Sequence, residues 1–97
     1  EMLKPSVDVS AKAVQFASIK LVKSDENEAI LSFRGVDQSG ALSRAAQEIF
    51  NLNLSVKWAR VHTWGRQIDD VFCVKPTPDI ATSVQKLVER LCPPSAR

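Results

Sequence analysis

Ninety-seven residues with 44% apolar and 25% charged content describe one globular domain with a modest core. A net charge of +2 is too small for a phosphate-binding surface, which argues against a nucleic-acid partner. No apolar run approaches the ~20 residues that span a membrane, which argues against a membrane role. The opening EMLKPS has no apolar signal core, and Glu1 before Met2 reads as an excised fragment or an added remnant. The two cysteines, Cys73 and Cys92, are too few for a disulfide framework and read as reduced thiols of a cytoplasmic protein.

Residues 1–12 are polar, carry Pro5, and read as a lead-in to a domain over 13–92, with 93–97 a tail. Ala13–Lys23 reads as a strand, with Ile19 and Leu21 alternating against Ser18 and Lys20. Ser24–Glu28 is a polar turn. Ala29–Val36 is a second strand, with Ala29, Leu31 and Phe33 on one face and Ser32 and Arg34 on the other. The short link makes the pair an antiparallel hairpin. From Ala41, apolar residues at Leu42, Ala45, Ala46, Ile49 and Leu52 fall at helical spacing. Asn51–Asn53 suits the helix end, because Asn tolerates the left-handed conformation.

Leu54–Thr63 and Gln67–Lys75 are two further strands, joined at Trp64-Gly65 with the glycine supplying a positive φ. In the first, Ala59, Val61 and Thr63 oppose Trp58, Arg60 and His62. In the second, Ile68, Asp70, Phe72 and Val74 oppose Asp69, Val71 and Cys73. Pro76 and Pro78 end it. Asp79 or Thr77 caps a last helix, whose Ile80, Val84, Leu87, Val88 and Leu91 form one stripe and which Pro93-Pro94 terminates. The order is ββαββα. Two one-sided helices on a four-stranded antiparallel sheet make an α+β two-layer sandwich. Its uncovered face, bearing Trp58, Val71 and Cys73, is a candidate interface.

The richest candidate for chemistry is the Asp37–Leu42 turn. A helix N-terminus presents free N–H groups to an anion. The competing reading makes Asp37 and Ser39 simple helix caps, with Gly40 relieving strain. His62 is the single histidine and has no companions for a metal. Asp69 and Asp70 point to opposite faces, so they share no site, and Asp70 is expected to pair with a base or cap the hairpin. Ser39, Ser43 and Ser55 lack a base and an orienting acid, and no Walker-type loop is present. The segment reads as non-catalytic and needs no cofactor.

The strand–DQSGAL–helix–NLNLSVKWARVHTWG–hairpin–DVFCV string resembles an ACT domain, most closely the C-terminal ACT domain of the PII uridylyltransferase/uridylyl-removing enzymes. The matching residues are Pro5, Val7, Asp37, Gly40, Leu42, Val56, Ala59, Arg60, Val61, Thr63, Gly65 and Asp70-Val71-Phe72, in order over about residues 5–91. The resemblance implies a ferredoxin-like sandwich in which the N-terminal strand takes the place of the usual last strand. It implies a regulatory module of a nitrogen-sensing enzyme that binds an amino acid such as glutamine. Asp37, Gln38, Ser39, Gly40, Ala41 and Leu42 would hold the ligand. The partners would be the catalytic domains of a parent chain and a second ACT domain, in a homodimer or a paired arrangement. The family turn carries Arg-Pro where this chain has Gln38-Ser39, which motivates an alternative: an assembly module that binds no ligand. An RNA-binding sheet is disfavoured, since the stacking aromatics and basic motif of such sheets are missing.

Overall fold

A computed structural model describes residues 15–93. The N-terminal lead-in, Pro5, Val7, the first two residues of the expected first strand and Pro94 lie outside the described residues.

The strands are β1 (Ser18–Ser24), β2 (Ala29–Val36), β3 (Val56–Trp64) and β4 (Gln67–Val74); the helices are α1 (Ala41–Asn51) and α2 (Ile80–Leu91). The sheet is antiparallel throughout, in the order β1-β2-β4-β3. This is the expected ferredoxin-like ββαββα arrangement, with β1 at one edge beside β2 and β3 at the other.

The first strand starts later than its apolar pattern suggests. Phe16 is buried, and its N–H donates to the carbonyl of Leu91 at 2.8 Å. It thereby satisfies an acceptor left over at the end of α2 instead of joining the sheet. The β1–β2 turn closes on Asp25, whose Oδ1 accepts from the Asn27 and Glu28 amides at 2.8 and 2.9 Å. These bonds hold the Asp25 carboxyl below its ordinary range.

One face of the sheet carries the core. Ala29, Leu31 and Phe33 of β2 pair with Val74, Phe72 and Asp70 of β4, and the apolar members of this set are buried under both helices. Phe16, Phe33 and Phe72 stack edge to face with centroids 5.3 Å apart.

Helix α1 is rotated from the apolar stripe read in sequence. Its buried residues are Ala41, Ala45, Glu48 and Ile49, and Leu42 stays 42% exposed. The rotation is explained by Glu48, whose carboxylate accepts from Arg90 Nε at 2.6 Å and Arg90 Nη2 at 3.0 Å. Arg44 Nη2 lies 2.9 Å away on the helix's own preceding turn. A paired carboxylate can be buried where an isolated one cannot, so this ion cluster ties α1 to α2.

Both ends of α1 differ from simple capping by a side chain. At the start, neither Asp37 nor Ser39 caps. The N-cap is Gly40 at φ 82°, with no side-chain cap hydrogen bond. At the end, Leu54 N–H bonds Ile49 O at 3.3 Å and Asn53 N–H bonds Phe50 O at 2.9 Å. Asn53 sits at φ 61°, which makes this a Schellman ending. Leu54 and Ser55 therefore belong to the cap, and β3 begins at Val56. Asp79 holds the N-cap position of α2, again without a side-chain bond.

The β3–β4 hairpin turns on Gly65 at φ 58°. All nine residues of β3 are exposed, since it is an edge strand that neither helix covers.

Candidate functional site

The β2–α1 turn opens into a cavity of about 220 Å³, bounded by Asp37, Gln38, Gly40, Ala41, Leu42 and Ser43, with Val61, Thr63, Ile68 and Asp70 from the hairpin. Five of the six residues singled out in sequence come together here; Ser39 does not line the cavity.

The left-handed Gly40 makes the geometry. It swings the chain from β2 into α1, so the first turn of the helix faces the cavity. The Ala41 amide is engaged by the Gln38 carbonyl at 3.2 Å. Among the described residues, the Leu42 and Ser43 amides have no backbone acceptor. These two free donors, at the positive end of an eleven-residue helix, suit an anionic group. Gln38 is partly spent on structure. Its Nε2 donates to Gln15 O at 2.7 Å and Val36 O at 3.3 Å, anchoring the segment before β1. Only its carbonyl oxygen remains for a ligand.

Asp70 lies on the face expected from the sequence but lacks the partner expected for it. Among the described residues it has no basic partner and caps nothing. Its neighbours across the ladder are Phe33 and Val61. It is 1% exposed, and its Oδ2 is buried without a hydrogen-bond partner. Burial raises its pKa, and the nearby Asp69 and Asp37 carboxylates add to the rise. The signal was present in QIDDVFCV: two-residue alternation puts Asp70 in line with Ile68 and Phe72, on the core face.

The base expected for Asp70 serves Asp69 instead. On the opposite face, Asp69 Oδ1 accepts from Ser32 Oγ at 2.6 Å and Oδ2 from Arg34 Nε at 3.2 Å. This face also carries Trp58, with the Arg60 guanidinium 5.2 Å from its ring centroid. Val71 is half-buried. Cys73, expected at an interface, is fully buried, with its thiol 3.6 Å from Glu28 Oε1. Burial pushes that thiol up, away from the reactive thiolate.

A larger groove of about 770 Å³ runs between α1 and the start of β3, but no charged side chain lines it. Among the described residues, no three His, Cys, Asp or Glu side chains cluster to hold a metal. None of the described helices is long and apolar enough to cross a membrane.

No family model and no solved structure matches the chain. A bifunctional uridylyltransferase/uridylyl-removing enzyme of Psychrobacter cryohalolentis is 34% identical over 61 residues. The match takes in 63% of this chain but only 7% of that enzyme. The chain is therefore similar to a short stretch of a much longer nucleotidyltransferase.

Proposed function

We propose that this chain is a non-catalytic, ACT-like regulatory module that binds an amino acid in the cavity at the start of α1. The observation that carries the reading is the pair of unengaged Leu42 and Ser43 amides at the helix start that borders the cavity. In this reading a carboxylate rests on those amides, and the half-exposed Leu42 and the hairpin wall meet the rest of the ligand. The similarity to a uridylyltransferase/uridylyl-removing enzyme supports a place in a nitrogen-sensing parent chain and makes glutamine the first ligand to try. Binding would act on separate catalytic domains by favouring one domain arrangement over another.

Calorimetric titration with a panel of amino acids, glutamine included, tests the reading, and a ligand-dependent rise in melting temperature provides a second readout. Silence in both across the panel refutes it.

A second reading, an assembly module, draws on the β3 edge. Its backbone is unpaired on one side, and Val56, Trp58, Val61 and Trp64 along it are all 40% exposed or more. Such an edge is a template for pairing with another strand, in a second copy or in another ACT domain. A dimer in sedimentation that forms with or without amino acids favours this reading; a strict monomer refutes it.

A further inference from the structure

We propose that Asp70 is the specificity-determining residue of the cavity, its carboxylate turning out of its buried position to accept from the primary ammonium of a small ligand whose anionic group rests on the Leu42 and Ser43 amides. The inference rests on the amino-acid reading above and assigns a residue and a charge requirement to the same site.

Two independent observations converge on it. The first is the helix start, with two amides free of backbone acceptors. The second is a carboxyl that is 1% exposed, has Oδ2 unpartnered, and forms part of the same cavity wall. A buried polar atom without a partner is rare and calls for an explanation, and a buried carboxylate is costlier still. A ligand ammonium supplies the missing partner. The cavity then offers backbone donors and the Asp37 carboxylate at the α1 start and the Asp70 carboxylate on the β4 side, with Val61, Ile68 and Leu42 also in its wall. A ligand must bring both charges, correctly spaced, to satisfy both ends. A hydroxy acid or an N-acetylated amino acid would satisfy only the first.

Among the described residues, no basic side chain bears on Asp70. The charged groups that bear on it are Asp37 from the β2–α1 turn and Asp69 from its own strand, both acidic. The helix and β3 contribute Leu42, Ser43, Val61 and Thr63 to the cavity, none of them charged. The raised pKa adds a proton step: where the empty site holds Asp70 neutral, ammonium binding releases that proton to solvent. Affinity therefore falls as pH drops through the carboxyl's range.

The test compares wild type with Asp70→Asn. Each is titrated calorimetrically with the amino-acid panel and with the hydroxy-acid and N-acetyl counterparts of whichever member binds. In parallel, the Asp70 side-chain carbon signal is followed by NMR as propylamine, a primary amine without a carboxylate, is added. The expected result is at least tenfold weaker binding of the amino acid to Asp70→Asn, with the hydroxy acid bound poorly and equally by both proteins. Equal amino-acid affinity in the two proteins overturns the role of Asp70 and leaves the amino-acid reading standing. If no amino acid binds wild type but propylamine moves the Asp70 signal, the amino-acid reading fails and Asp70 as an ammonium acceptor stands. No response to either ligand overturns both.

Discussion

Replacing Asp70 with asparagine should make the empty domain more stable, although the residue is buried in the middle of a core strand. Asparagine keeps the shape of the side chain and removes its ionisation. A buried polar group without a partner costs about 1–3 kcal/mol, and more when charged. Asp70 is 1% exposed with Oδ2 unpartnered; asparagine leaves a polar group buried there and removes only the added cost of the charge, so the gain should be about 1 kcal/mol at neutral pH. For a domain of this size each kcal/mol moves the melting temperature by roughly 4–8 °C.

The pH dependence isolates the cause. The folded-state pKa of Asp70 lies above the ordinary aspartate value of 3.8. Between that value and the raised one, the folded state binds more protons than the unfolded state. Stability from this group is therefore greatest below 3.8 and is lost as pH rises through the folded pKa. Asp25 and Glu28 are lowered instead and act in the opposite sense as pH falls. They are common to both proteins and cancel in the difference. Urea unfolding of wild type and Asp70→Asn from acid to mildly alkaline pH should give curves that separate as pH rises above 3.8 and run parallel once the carboxyl is ionised in both states. A variant less stable than wild type at neutral pH, with a flat difference curve, would refute the claim that an unpaired charge is buried there.

Three further outcomes follow from the packing. Glu48→Ala removes the acceptor shared by Arg90 and Arg44; because the Arg90 side chain is 57% exposed, the loss should be modest, about 1–3 kcal/mol by urea unfolding. Gly65→Ala places a side chain in open space at φ 58°, so a backbone cost of about 1–2 kcal/mol should appear with little change in sheet content by circular dichroism. In Gly35→Ala, the added Cβ would lie 3.3 Å from Phe16 Cα and 3.4 Å from Ala17 N; the expected loss of about 1–3 kcal/mol should come with faster exchange of the Phe16 amide, whose bond to Leu91 holds the segment down.

The elements whose partners are near in sequence were legible in it. Alternation in AILSFRGV and QIDDVFCV gave the two central strands and their faces, because a central strand must bury one side. Asn53 was readable as a left-handed helix end, because the Schellman bonds reach back only to Ile49 and Phe50. The rotation of α1 was not readable. Its cause is Glu48, and the arginine that makes its burial tolerable lies 42 residues away. Leu42 looked like a core position by spacing alone and is displaced by that distant pair. The missing side-chain caps have a similar origin. Gly40 adopts a left-handed cap conformation and carries α1 off β2 at an angle that puts neither Asp37 nor Ser39 over the first amides.

Asp70 is the place where the local rules conflict, and the conflict is informative. Its strand position demands an apolar side chain, since Ile68 and Phe72 on either side of it along that face are both in the core. Its chemistry demands a partner, and Arg34 is bound to Asp69 on the other face. Sequences that specify a fold well usually agree at every level, and isolated breaches collect at functional sites. Here the breach lies in the wall of a cavity that Leu42 and Ser43, with their unengaged amides, also line. If stability alone shaped β4, asparagine, valine or threonine would serve better at this position. An aspartate becomes advantageous once a cation enters the cavity, because the ligand then supplies the interaction that the empty fold lacks. The energy lost in the empty state is recovered on binding, which makes affinity depend on the ligand's positive charge more strongly than on its size.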